Sequence, residues 1–231
     1  AKSVGITTFA IPHGCNIYVN SDVTEGYQIQ TLGGKIPSQK RRNEFDYYII
    51  QNPIRRDGYV KWGLSPNKTQ CWGSLRFFSD WQKKNLAICP PIHKEHKHVN
   101  KFKIVFMDHQ KDYNVYVKKI WNLLDKIADI ENVVLFIKQS TRAGKDYHSK
   151  SFIAKYNGSK NVKFVGDEYH SPSLINWSNC VISFGSSIGV EALLQNKPLI
   201  NPIYLHSNST IFEKYNAAFN PKNEDDVIFN I

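Results

Sequence analysis

Residues Val181 to Pro202 read VISFGSSIGVEALLQNKPLINP. Val181, Ile182 and Phe184 form an apolar run of the kind a parallel strand needs, because both of its faces are covered. Gly185, Ser186 and Ser187 then break the run with residues that let the backbone turn sharply and leave N–H groups exposed. Val190, Ala192, Leu193 and Leu194 suit a short helix, which Lys197-Pro198 stops. Leu199-Ile200 resumes a strand. A glycine/serine turn between a strand and a helix start predicts an anion site, since free N–H groups and the helix dipole point the same way. The expected ligand carries phosphate.

Working outward, the second half alternates strands and helices. Phe102 to Met107 (FKIVFM) and Val133 to Ile137 (VVLFI) are strands, and so is Val162 to Val165. Tyr113 to Ile127 is a helix, with Val115, Val117, Ile120, Leu123, Leu124 and Ile127 at helical spacing. Ser171-Pro172 starts a short helix, with Ser171 as N-cap and Pro172 at the first helical position. Gln139 to Gly158 is polar without periodicity. Such alternation predicts a parallel sheet with right-handed crossovers and ligands beyond the carboxyl ends of its strands.

The first half is sparser. Thr7 to Ile11 and Phe45 to Ile50 are strands, Pro53 to Gly63 is a short helix, and Thr69 to Trp72 is another short strand. Residues 81–100 lose periodicity, and Pro90-Pro91 marks a connector. The expected organisation is an α/β lobe over 1–80, a linker over 81–100 and a second Rossmann-like lobe over 101–231.

At 231 residues, with 41% hydrophobic and 22% charged content, the chain has a globular composition. No apolar run approaches the roughly 20 residues of a membrane helix. The opening, AKSVGITTFAIPHG, has no long apolar core and no initiator Met, and it predicts a fragment. The net charge of +10 favours a polyanionic partner, yet the basic residues are spread along the chain. No zinc finger, RNA-recognition motif or KH loop appears, so nucleic acid is not the expected partner. A peripheral contact with an anionic membrane stays open. Cys15, Cys71, Cys89 and Cys180 form no C-x-x-C pair, which suits a reducing cytosol. His93, His96 and His98 read as a basic linker before they read as a metal site. Neither metal nor cofactor is expected.

Three pieces carry a family resemblance: Pro12-His13-Gly14, Gly73 to Arg76, and Ser186 to Pro198. SFGSSIGVEALLQNKPLI is similar to the donor-site segment of GT-B glycosyltransferases. FAIPHG and GSLRF resemble strand ends of the surface and capsular polysaccharide transferases, a group that includes the CDP-glycerol and Kdo transferases. The resemblance implies two Rossmann-like parallel-sheet lobes in a GT-B-like arrangement, an incomplete acceptor-side lobe over residues 1–80 and a nucleotide-sugar-binding lobe over 101–231. It also implies a transferase moving a group from a nucleotide-activated donor to a cell-surface polysaccharide in the cytoplasm.

The same resemblance assigns roles. Glu191 would hold the donor's hydroxyls, since a carboxylate accepts two hydrogen bonds from a diol; the plain alternative is a glutamate stabilising its helix start. Ser186 and Ser187 would hold the diphosphate or simply cap the helix. Gly185 and Gly189 would allow close backbone approach. Lys138 and Arg142 would neutralise the leaving phosphate, or be solvated; the family's Lys-Pro-His-Pro is here Lys138-Gln139-Ser140-Thr141. His13 would be the general base or a structural histidine. Arg76 would pair with phosphate or form a surface ion pair. The loop at Gly166, with Asp167 and Glu168, would lie against the base. Tyr169 would stack on that base or be half-buried. The rival readings are a non-hydrolysing UDP-sugar 2-epimerase and a non-catalytic nucleotide-binding module.

Overall fold

The computed structural model describes residues 2–12, 14–15, 17–19, 33–35, 37–92, 100–109, 114–139 and 148–231. The chain divides into two compact units, Ala1–Trp81 and Gln82–Ile231.

The first unit holds a three-stranded parallel sheet in the order β1 (Phe9–Ala10), β2 (Tyr47–Ile50), β3 (Thr69–Cys71). Phe9 lies opposite Tyr47, and Ile50 opposite Cys71. The strands are shorter than the apolar runs predict. Asp46, for instance, leaves the ladder to accept hydrogen bonds from the Thr8 amide (2.8 Å) and hydroxyl (2.7 Å). Helix α1 (Pro53–Lys61) follows β2. Asn52 caps it by accepting from the Arg55 amide at 2.9 Å, and Pro53 takes a first-turn place where no amide is needed. The chain turns out of it through Gly63 at φ +98°.

Helix α2 (Ser79–Ile88) occupies the start of the expected linker. It lacks a strong apolar stripe, which is why periodicity does not reveal it; Gln82 is its buried residue.

The second unit is built on a five-stranded parallel sheet. Its strands are β4 (Phe102–Met107), β5 (Val133–Lys138), β6 (Val162–Val165), β7 (Cys180–Ser183) and β8 (Leu199–Ile200), in the order β6-β5-β4-β7-β8. The helices are α3 (Val117–Ala128), α4 (Lys150–Ala154), α5 (Ser171–Trp177), α6 (Ile188–Leu194), α7 (Ile211–Lys214) and α8 (Glu224–Phe229). On α3 the apolar stripe Ile120, Leu123, Leu124 and Ile127 is wholly buried against Ile104, Phe106, Leu135, Ile137 and Ile182. Each such side chain contributes about 1.5–3 kcal/mol by leaving water.

Several local expectations shift. Helix α3 begins at Val117, because the Tyr116 amide donates to the Leu205 carbonyl (2.8 Å) and Val115 bridges to His206. The N-cap of α5 is His170, not Ser171, and it makes no side-chain cap bond. Helix α4 lies inside the stretch read as polar and without strong periodicity. Ser149 caps it by accepting from the Phe152 amide, but five residues are too few to show a period. The stop after α6 behaves as the Lys197-Pro198 pair predicts. Asn196 adopts φ +56°, and the Lys197 ammonium donates to the carbonyls of Ser178 (2.7 Å) and Asn176 (2.9 Å) at the end of α5.

Candidate functional site

The sheet order of the second unit locates a site before any side chain is considered. From β4 the chain builds outward to β5 and β6, then returns to lay β7 on the other side of β4. In open sheets of this kind the loops on either side of such a reversal diverge, and ligands bind beyond the carboxyl ends of those strands. Met107 is level with Ser183, so His109 and Gly185 each emerge two residues past a paired position.

The turn after β7 is Gly185-Ser186-Ser187. Gly185 has φ +68°, a conformation costly for other residues, which lets the chain leave the sheet sharply. Phe184, fully buried, anchors the turn. Its ring meets Phe106 at 5.8 Å, the His109 ring edge-on at 6.1 Å, and the His206 ring face-on at 5.6 Å. The expected open amides are partly occupied. The Ile188 amide donates to Ser186 Oγ (3.3 Å), Gly189 to the Ser186 carbonyl (3.2 Å), and Val190 to the Ser187 carbonyl (3.1 Å). Ser186 folds back on its own turn, as serines before helices do. Helix α6 has seven residues, so its dipole adds little.

Gly189 serves packing. A Cβ there would come within 2.8 Å of Phe212 Cζ and 3.0 Å of Leu199 Cδ2, so the missing side chain lets α6 sit close on β8 and α7. Glu191 has no exposed surface at all. A carboxylate kept out of water costs several kcal/mol unless its surroundings compensate, and Glu191 stands in the first turn of α6, where the helix start favours a negative charge. The Cys89 thiol is pushed up from its ordinary pKa by burial and then by the nearby charge of Glu191. The chain just beyond Cys89 is held in place by Ser173 Oγ, which donates to the Pro90 carbonyl at 2.6 Å.

Lys138 and Gly166 meet at the ends of β5 and β6, two and three strand spacings (~10 and ~14 Å) from β7. The Lys138 ammonium is buried. It donates to the Gly166 carbonyl and lies 3.9 Å from Asp167 Oδ1. Desolvation lowers its pKa, with Asp167 and Glu168 opposing. The Gly166 amide donates to both Glu168 carboxylate oxygens (3.0 and 3.1 Å), the main reason that carboxyl sits below its usual range. Lys138 thus braces the 166–168 loop. Tyr169 is buried, not half-buried: its ring packs edge-on against Phe136, and its hydroxyl accepts from Lys163 (2.9 Å).

The structure therefore brings Gly185, Ser186, Ser187, Gly189 and Glu191 together on one turn and helix, and Lys138 and Gly166 at another edge of the same sheet. Arg76 is half-buried in a 3-10 turn of the first unit. His13, Arg142 and the His93, His96, His98 cluster lie outside the described residues. Among the described residues no group of three or more potential metal ligands converges. Sequence reasoning passed over His109 and His206. His109 was findable, as the second residue past a strongly apolar strand. His206 carried no local signal, since a loop six residues beyond β8 delivers it.

A parallel sheet whose order reverses beside a strand–turn–helix unit is the Rossmann-like architecture of GT-B proteins. Residues 105–204 match the family described as capsule polysaccharide biosynthesis protein, a span that includes both sides of the switch point. Among solved structures, the chain is similar to the UDP-GlcNAc 2-epimerase of Methanocaldococcus jannaschii in complex with UDP-GlcNAc and UDP. That likeness has 14% identity and a TM-score of 0.63, covering 99% of this chain and 62% of the other. It is also similar to S. aureus MnaA with UDP, at 14% identity and TM-score 0.64, covering 100% and 59%. The wall teichoic acid polymerase TagF with CDPG follows at 12% identity and TM-score 0.54, again covering 100% and 59%. The chain thus spans about three-fifths of the length of these proteins. Identities this low define the fold. No curated protein matches the sequence.

Proposed function

We propose that this chain carries the nucleotide-donor lobe, over residues 101–231, of a GT-B transferase that moves a sugar, or a polyol phosphate, onto a cell-surface polysaccharide, with residues 1–80 belonging to its acceptor-side lobe. The reading rests on one coincidence: the span matching a capsule polysaccharide family contains the β4–β7 switch point and the Gly185–Glu191 unit. Neighbours solved with UDP or CDPG support a nucleotide-linked donor. In this reading Ser186 and Ser187 hold phosphoryl oxygens, and Glu191 takes the hydroxyl pair after the Cys89 side opens. Lys138 holds the 166–168 loop, which lies against the base. An acceptor hydroxyl attacks the transferred group, the nucleotide leaves with the bonding electron pair, and a general base takes the acceptor's proton. In this reading the protein works in the cytoplasm. Among the described residues no helix is long and apolar enough to cross a membrane.

The test is calorimetric titration of the chain with UDP, CDP and CMP, repeated on Glu191→Gln. One nucleotide should bind, and the variant should lose about tenfold or more in affinity, as removal of a charged hydrogen-bond acceptor does. Absence of binding by all three sinks the proposal.

A second reading, a UDP-sugar 2-epimerase, draws on the higher TM-scores of the epimerase neighbours. The family match favours the transferase. Incubation with UDP-GlcNAc alone separates them, because an epimerase makes product without an acceptor.

A further inference from the structure

His206 sits beside the switch point with an unused donor. Its ring lies face-on against Phe184, the planes 13° apart, directly before Gly185. The backbone around it is tied down: Tyr116 N–H donates to the Leu205 carbonyl at 2.8 Å, and Ser207 N–H to the Asn114 carbonyl at 3.3 Å. The Asn208 amide donates to His206 Nδ1 at 3.1 Å. That nitrogen therefore presents its lone pair, and the hydrogen of the neutral ring resides on Nε2. Nε2 is buried, and among the described residues nothing accepts from it. The residue as a whole is 4% exposed.

Burial pushes the His206 pKa down to about 4, so near neutral pH the ring is an uncharged donor with one hydrogen. An orphaned buried donor costs roughly 1–3 kcal/mol in the free protein. Such groups are rare in folded proteins, and each calls for a reason. Here the surroundings supply one. His206 and His109 hold the same Phe184 ring, and that ring directly precedes the Gly185–Ser187 turn at the end of β7.

We propose that His206 Nε2–H is a binding donor for an anionic phosphoryl oxygen of the ligand that engages the Gly185–Ser187 turn. This inference rests on the nucleotide-donor reading above. The ligand class is a nucleoside diphosphate or its pyrophosphoryl end. A neutral N–H pointed at a charged oxygen in a water-poor place forms a short, charge-assisted hydrogen bond. An uncharged ring also avoids burying a cation while the site is empty.

The experiment uses the full 231-residue chain and two variants, His206→Phe and His206→Gln. UDP, CDP and inorganic pyrophosphate are titrated calorimetrically, and the melting temperature of each free protein is measured. Phenylalanine keeps the stack and deletes the orphan donor, whereas glutamine keeps an N–H. His206→Phe, which also leaves the Asn208 amide without its Nδ1 acceptor, should stay folded and bind the preferred nucleotide at least tenfold more weakly. His206→Gln should bind within about threefold of wild type. A folded His206→Phe with wild-type affinity overturns the inference and leaves the nucleotide reading intact. So does equal weakening in both variants with lowered melting temperatures, which would make the ring mere support for Phe184. If the wild type binds none of the three probes, the nucleotide reading falls and this inference with it.

Discussion

The two units put similar residues to opposite uses. In the second, Ile104, Phe106, Phe136, Ile182 and Phe184 are sealed between sheet and helices. In the first, Phe9 and Tyr47 stack on each other at 4.9 Å while remaining 47% and 38% exposed. Trp72, Leu75, Phe78 and Trp81 are likewise exposed. Among the described residues, one unit has five parallel strands with helices packed on them and the other has three strands of two to four residues. A parallel sheet is stable when both faces are covered, and the second unit meets that condition more fully. It is also the unit that holds the switch point.

The largest effect that tests this contrast is a core truncation. Phe106→Ala should cost about 3–5 kcal/mol in urea unfolding, whereas Tyr47→Ala should cost under about 1 kcal/mol. Equal losses would erase the distinction between the units.

Next is pH. His206 has a folded pKa of about 4, below its ordinary 6.5. Between those values the unfolded chain binds more protons, so stability is fully present above pH 6.5 and falls as pH drops toward 4. The full effect is on the order of 3 kcal/mol. Urea midpoints at pH 7 and 4.5 should differ more for wild type than for His206→Phe. Identical pH dependence in the two proteins would remove His206 from the account.

Gly189→Ala comes third. Its new methyl group meets Phe212 and Leu199 in a packed region, and about 1–3 kcal/mol of stability should be lost. Wild-type stability in that variant would mean that α6 is not close-packed on β8 and α7. The smallest effect falls in the first unit. Gly58 lies inside α1, and a methyl group added there would meet nothing within 4 Å, so Gly58→Ala should stabilise by roughly 0.5–1 kcal/mol. A loss there would show that α1 is more tightly packed than its surface indicates.

Much of the second unit was legible because its signals are local. FKIVFM and VVLFI became β4 and β5, and the 3.6-residue period of Ile120, Leu123, Leu124 and Ile127 became the buried stripe of α3. Short elements escaped. Helix α4 spans five residues, and α7 announces itself through little more than the Thr210-to-Glu213 spacing, where the Glu213 carboxylate accepts from the Thr210 amide at 2.9 Å. The site was half readable. Gly185 and Glu191 stood out as a turn glycine and a carboxylate within an apolar helix. The expected open cradle did not allow for Ser186 turning back on the Ile188 amide.

The chain's residues alone determined where strands, helices and the Gly185 turn occur, because apolar periodicity, proline and glycine act on near neighbours. Only the tertiary structure decided which strands lie side by side, that Glu191 is buried, and that His109 and His206 share one phenylalanine ring. Those outcomes depend on contacts between residues tens of positions apart, and their strength comes from excluding water at sites no short stretch of sequence encodes.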